Sequence, residues 1–436
     1  MLQKLKNQYK SNPRVKQVLG LFSVNLIGIP IGIITSIVVT RYLGAETYGD
    51  YKFIMSIFSL AVIIFTFGMF QAGNRALVLN QDKQKARELY GAEIVVTGIL
   101  FIIMSTALIL YALYDPNIQE KGLSKVLLCS IPFGWVFLFK RYFETLFQAD
   151  NRMRGLAQIR LFPKLGFLLG AGLIYFLFRH LDANKLALIL SFFIGSQAIV
   201  YIVVIRKINV SFSQLRQRLH EIWKYNNSFG KHVYIGSVFA VGFGQLTQIL
   251  ISYFGIDNSG VGFYSLALTF TMPLSFIPNT IATTHYKDFS ISKKVPKKLL
   301  LITTGLSLAA LVGLWIIVPP FVRFFYGIEF QSVILLNFIV SIGVIAHGFG
   351  DFFNRFLGAN GQGKALRNSS FFVGGSMMLF NLLLIPQWGE QGAAYAKLIT
   401  GFVYLFIIVF YYLRFIRKNR PDSHNNQIIT NERNEI

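Results

Sequence analysis

The sequence predicts an all-α integral membrane protein of about twelve transmembrane helices, arranged as two parallel six-helix lobes. Three observations predict it: the composition, the alternation of cations between successive loops, and an internal repeat. Of 436 residues, 54% are hydrophobic and only 14% charged, where soluble domains carry roughly 25% charge. Mean hydropathy is +0.53. Apolar runs long enough to cross about 30 Å of hydrocarbon at about 1.5 Å per residue recur along the whole chain.

The first run, 18–40, follows a basic segment at 1–17. It is too long for a signal-peptide core and has no small-residue cleavage pattern before Arg41, so a retained helix is expected. The next five runs are 51–72, 94–114, 125–148, 157–178 and 185–205, which together with the first define an N-terminal lobe at 18–205. A polar connector, 206–230, contains SFSQLRQRLHEIWKY, which suits an amphipathic helix on the membrane surface. Six more runs, 231–254, 261–284, 298–320, 332–357, 365–386 and 391–413, form a C-terminal lobe at 231–414. The remaining tail, 415–436, is polar with no apolar period, as in a mobile segment.

Cations fix the orientation. The N-terminal segment, the even-numbered loops and the tail hold 30 of the 42 Lys and Arg residues, and the odd-numbered loops hold 6. Positive residues accumulate on the cytoplasmic side, so both termini are expected there. The split corroborates the count of spans, because one missed or invented helix would scramble it. It also accounts for the net charge of +23 without a nucleic-acid partner. The single Cys129 excludes an internal disulfide and, lying in an apolar run, is expected as a small buried side chain.

The two halves repeat. Tyr42-Leu43-Gly44-Ala45-Glu46 after the first span matches Tyr253-Phe254-Gly255-Ile256-Asp257 after the seventh. Phe147 to Asn151 after the fourth matches Phe356 to Gly361 after the tenth, with Ala149 on Ala359. The offsets, 211 and 210 residues, are nearly equal. An even number of spans separates the copies, so the halves cross the membrane in the same sense, with a cleft between them.

The stretches RYLGAETYGDY (41–51), GVGFYSLALTF (260–270), LGANGQGKALRN (357–368) and IPQWGEQGAAYAKLI (385–399) resemble the multidrug/oligosaccharidyl-lipid/polysaccharide exporter superfamily. The particular likeness is to its polysaccharide branch, the Wzx-type flippases. That resemblance implies a V-shaped fold like that of the MATE transporters, with twelve helices in two lobes. It implies translocation of undecaprenyl-diphosphate-linked repeat units of O-antigen, capsule or exopolysaccharide from the cytoplasmic to the periplasmic leaflet. The expected setting is the bacterial inner membrane, among membrane lipids and alongside a polysaccharide polymerase and a chain-length regulator. Independently of any family, Gly44, Gly49, Gly255, Gly260, Gly262, Gly389 and Gly392 sit at span ends, where reversals or close helix approach need glycine.

Six cations fall inside or at the edge of spans: Lys52, Lys140, Arg141, Lys164, Arg355 and Lys397. A charge in hydrocarbon costs about 2.5–3.5 kcal/mol on the mildest scale, so such residues are expected to face an interior. With the termini inside, they form a cationic track, dense at the cytoplasmic mouth, matched to a lipid diphosphate. Arg355 and Lys52 lie near enough to an interface to snorkel instead. His347, Asp351 and Arg355 share one helix face by their spacing of four. Glu144 and Asp351 either pair within their helices, with Lys140 and Arg355, or couple transport to H+ or Na+. His347 either titrates or is a hydrogen-bonded structural residue. Asn25, Gln71, Asn74, Gln245 and Gln248 suit sugar hydroxyls or helix–helix hydrogen bonds equally. Pro30, Pro163, Pro273 and Pro278 are candidate kinks.

No phosphate-binding GxxxxGK[ST] loop, HExxH motif or metal-ligand cluster occurs, so an enzyme and a bound cofactor are not expected. Two alternatives remain. A MATE-type multidrug/cation antiporter should have an acidic or aromatic cavity, and a membrane enzyme of glycan assembly should have larger loops with clustered acids.

Overall fold

A computed structural model describes residues 13–80, 82–178 and 184–418, the side chains of 13–22, 25 and 240 excepted. Residues 1–12 and 419–436, hence most of the two expected terminal segments, lie outside the described residues, as does the expected contact at the Asn25 side chain. The fold is an all-α integral membrane protein, a V-shaped pair of six-helix lobes. Span one is α1 (Pro13–Leu43), span two is α2 (Ala45–Phe65) with α3 (Met69–Leu79), and span three is α4 (Lys83–Tyr114). A short α5 (Pro116–Glu120) leads to span four, α6 (Ser124–Ser130) with α7 (Trp135–Ala149), then to α8 (Met153–Leu177) and α9 (Lys185–Lys207). The connector helix α10 (Leu215–Tyr225) continues into span seven, α11 (Lys231–Ser237) with α12 (Phe243–Phe254). Span eight is α13 (Ser259–Thr271) with α14 (Phe276–Thr284). Then come α15 (Tyr286–Ile291), span nine α16 (Lys297–Phe325), span ten α17 (Ser332–Ala359), and α18 (Gly363–Lys418), which holds spans eleven and twelve.

Nine of the described helices pass a length and hydropathy test for crossing a membrane as they stand. Three more crossings are helices interrupted or folded back. Span four bends by 44° between its two pieces. Span seven carries wide π-helical turns at Asn226–Gly230 and Val238–Gly242. In α18 the chain reverses at Gly389, whose φ of +52° only glycine adopts cheaply. Asn368, on one side of that turn, donates to the Tyr411 hydroxyl on the other at 3.3 Å.

The breaks differ from the expected kinks. Span two parts at Phe67 and Gly68, both with positive φ, although no proline is near. Pro273 does mark a tightened 3-10 turn, Met272–Ser275, whereas Pro30 and Pro163 sit inside uninterrupted helices. The expected burial of Cys129 is also corrected: its side chain is exposed, in a groove with Lys125, Ser130, Phe133, Asn184 and Ser191. Large apolar side chains are exposed along the spans of both halves, among them Phe176, Ile199 and Leu301.

Glycines let the halves meet. A Cβ on Gly49 of span two would lie 1.7 Å from the Asn258 carbonyl oxygen, and one on Gly262 of span eight 3.1 Å from Tyr48. These two residues, in stretches picked out by the sequence, let spans two and eight pack backbone against backbone.

Candidate functional site

Spans one, two, four, five and six, with Thr269 of span eight, line a cavity of about 470 Å3. Its charged lining is Lys52, Lys140, Glu144, Arg160 and Lys164, four cations against one carboxylate. Lys140 and Glu144 stand one turn apart on α7, as do Arg160 and Lys164 on α8, so each helix presents a two-residue charged face. The Lys164 ammonium lies across α1 at Gly28, where a Cβ would be only 2.8 Å from Nζ. A smaller cavity of about 290 Å3 shares Lys140 and Glu144 and adds Arg141, Gln71 and Gln245. Four of the six sequence-predicted cations are thus brought together, on two connected cavities.

Arg160 was not among them, because it was counted with the connecting loop before span five. The structure puts it inside the membrane part of α8 and gives it the carboxylate: Arg160 Nε lies 3.4 Å from Glu144 Oε1. The expected intrahelical pair of Glu144 with Lys140 is therefore replaced by a bridge between helices. The signal was available in the spacing of four between Arg160 and Lys164.

The cavity changes character along its length. Moving about 10 Å along α8 from Arg160 leads to Phe167, at the end near Gly44. There the walls are Tyr48, Tyr51, Phe167 and Phe193, with Gln197 beside them. Tyr51 stacks on Phe167 at 6.3 Å, and Phe193 meets Phe167 edge-on at 5.2 Å. Lys52 Nζ sits 5.2 and 5.4 Å from the Tyr48 and Tyr51 ring centres.

Arg355 and Lys397 line neither cavity. They belong to a second polar group in the other half. Arg355 Nε donates to Asn279 Oδ1 at 2.6 Å, and Asp351 Oδ1 accepts from the Tyr404 hydroxyl at 3.1 Å. The expected Asp351–Arg355 ion pair is replaced by these two neutral partners. His347 packs its ring on Tyr404 at 4.8 Å, and its Nδ1 is buried with no hydrogen-bond partner among the described residues. Lys397 lies within electrostatic reach of both His347 and Asp351. Gln248 donates to Ser265 Oγ at 3.0 Å, a helix–helix bond, and Asn74 is half-buried away from both cavities.

One end of the molecule is sealed. Arg41 donates to the carbonyls of Phe325 and Phe324 at 2.6 and 2.8 Å, and Ser36 bonds Tyr326 at 2.7 Å. Lys121 donates to Ser252 Oγ, Gly255 O and Asn258 Oδ1 at 3.2, 3.3 and 3.1 Å, and Asn258 donates to Asp50 at 2.7 Å. Burial holds the Lys121 ammonium below its ordinary pKa, while Asp50 and Asp257 pull it back up. At the opposite end, which carries the connector, spans two and three bond mainly the connector. Arg218 reaches Glu88 at 3.0 Å and Glu221 reaches Asn80 at 3.1 Å. There the Tyr234 hydroxyl of span seven donates to the Ile64 carbonyl of span two at 2.6 Å.

A V of twelve helices with a charged interior defines a membrane transporter of the multidrug/oligosaccharidyl-lipid/polysaccharide exporter type. The chain belongs to the polysaccharide biosynthesis protein family, whose pattern matches residues 15–286. Among solved structures it is similar to a lipid II flippase MurJ in an inward closed conformation, with a TM-score of 0.70 at 14% identity, covering 91% of this chain and 89% of that one. It is similar to an inward-facing multidrug resistance MATE family transporter, with a TM-score of 0.68 at 12% identity, covering 90% and 96%. For an outward-facing MATE family transporter the TM-score is 0.57 at 12% identity, covering 93% and 97%. No curated protein matches the sequence.

Proposed function

We propose that this protein is a flippase for polyprenyl-diphosphate-linked oligosaccharide, carrying the repeat unit of a surface polysaccharide from the cytoplasmic to the periplasmic leaflet of a bacterial inner membrane. The observation that carries this reading is the cavity's excess of cation: Lys52, Lys140, Arg160 and Lys164 against Glu144 alone. Unpaired positive charge within the membrane is costly and needs an anion. A diphosphate on a lipid supplies one that must cross hydrocarbon, and Arg160 and Lys140 give it charge-assisted hydrogen bonds. The likeness to a lipid II flippase supports the substrate class.

The connector end is taken as cytoplasmic, with both termini on that side, and the lobes as 18–205 and 231–414. The seal at Arg41, Lys121 and Asn258 then closes the periplasmic side, and transport proceeds by rocking the lobes until this seal parts and the connector side closes. Membrane lipids surround the protein, and a polymerase consumes the delivered unit. A cation antiporter is disfavoured by the sign of the cavity, and a glycan-assembly enzyme by the lack of clustered acids facing it.

The test is complementation of a flippase-null strain. Lys140→Ala combined with Arg160→Ala lowers surface polysaccharide at least tenfold at normal protein level. Wild-type amounts from that variant would overturn the assignment.

A further inference from the structure

We propose that the sealed end of the cavity is a subsite for a sugar ring bearing a carboxylate, read by Lys52. The proposal rests on the flippase reading above and adds the class of sugar. Charge bookkeeping within the cavity points to it. Four cations less Glu144 leave three positive charges, and a lipid diphosphate, with one charge on each phosphate, answers two. Arg160 pairs with Glu144 at 3.4 Å, and Lys164 and Lys140 stand one turn from these two along α8 and α7, so the diphosphate belongs there. Lys52 stands apart from that group, on α2 against the aromatic walls formed by Tyr48 and Tyr51.

Among the described residues no carboxylate lies within ion-pair distance of Lys52, whose recorded partners are the faces of Tyr48 and Tyr51. The rest of the subsite suits a saccharide. Tyr51, Phe167 and Phe193 offer aromatic faces to the apolar face of a pyranose. A uronic acid supplies ring, hydroxyls and carboxylate together, and its carboxylate gives the Lys52 ammonium a charge-assisted bond.

The experiment uses purified full-length protein in nanodiscs and two synthetic probes: farnesyl-diphosphate disaccharides identical except that one carries glucose and the other glucuronic acid at the distal sugar. Affinities are read by calorimetry. Wild type is expected to prefer the acidic probe about tenfold. Lys52→Met abolishes that preference, and Lys52→Arg restores it. Arg160→Gln weakens both probes equally. Equal affinity of wild type for the two probes, or a preference that survives Lys52→Met, overturns the sugar assignment alone. Failure of either probe to bind, or binding indifferent to Arg160→Gln, overturns the flippase reading as well.

Discussion

The Glu144–Arg160 bridge is the residue-scale feature on which the cavity's chemistry turns. At 3.4 Å it neutralises one cation and leaves Lys140 and Lys164 free beside it. An entering diphosphate competes with Glu144 for the guanidinium, so Glu144→Gln should bind a lipid diphosphate more tightly, by about 1 kcal/mol or severalfold in Kd. Titration with farnesyl diphosphate checks this, and weaker binding would show that Glu144 positions Arg160 instead. The bridge also shows what sequence reading reaches. Lys140 and Lys164 were legible because an ionisable residue inside an apolar run has few reasons to be there. Arg160 stood close enough to a loop to pass as topology, and its pairing across helices has no linear signature. Lys52 was legible as an intramembrane charge but not as the lone cation among aromatic walls, since Phe167 and Phe193 come from two other spans.

At the scale of elements, the connector helix is the part whose role the structure changes most. Its amphipathic pattern suggested a helix lying on a membrane, yet Arg218 is buried against Glu88 at 3.0 Å and also bonds Glu221. The connector is thus anchored to the first half, and the chain after it is interrupted by π-helical turns at Asn226–Gly230 and Val238–Gly242. Such turns often mark functional sites, and no residue type announced them in the sequence. Arg218→Met leaves Glu88 buried and unpaired, a loss of roughly 3–5 kcal/mol. Limited proteolysis should then cut within 208–225, and the double variant with Glu88→Gln should regain much of the protection. Equal protease resistance of wild type and Arg218→Met would contradict the anchoring. Gly49 makes a matching case: Gly49→Val drives a side chain into the Asn258 carbonyl, so melting should fall by several degrees, read by a thermal unfolding scan.

For the whole molecule, the number of crossings and the six-and-six division were legible, because hydropathy and the alternation of cations are properties of the linear chain. The conformation was not. Which end is sealed depends on Arg41, Lys121 and Asn258 meeting partners from the opposite half, and these contacts link residues more than a hundred positions apart. Lys121→Met together with Arg41→Met removes most of the charged bonds across the seal. Labelling of a cysteine introduced at Thr35 by a membrane-impermeant maleimide, applied from the side of the seal, should rise in that variant.

The central claim is that the cavity is built for an anion on a lipid. Calorimetric titration of the purified protein with farnesyl diphosphate and, separately, with the lipophilic cation tetraphenylphosphonium tests it most directly. Farnesyl diphosphate should bind, at least tenfold more weakly in Lys140→Ala/Arg160→Ala, and tetraphenylphosphonium should not. Binding of the cation alone, or of the diphosphate with no loss in that variant, would contradict the account.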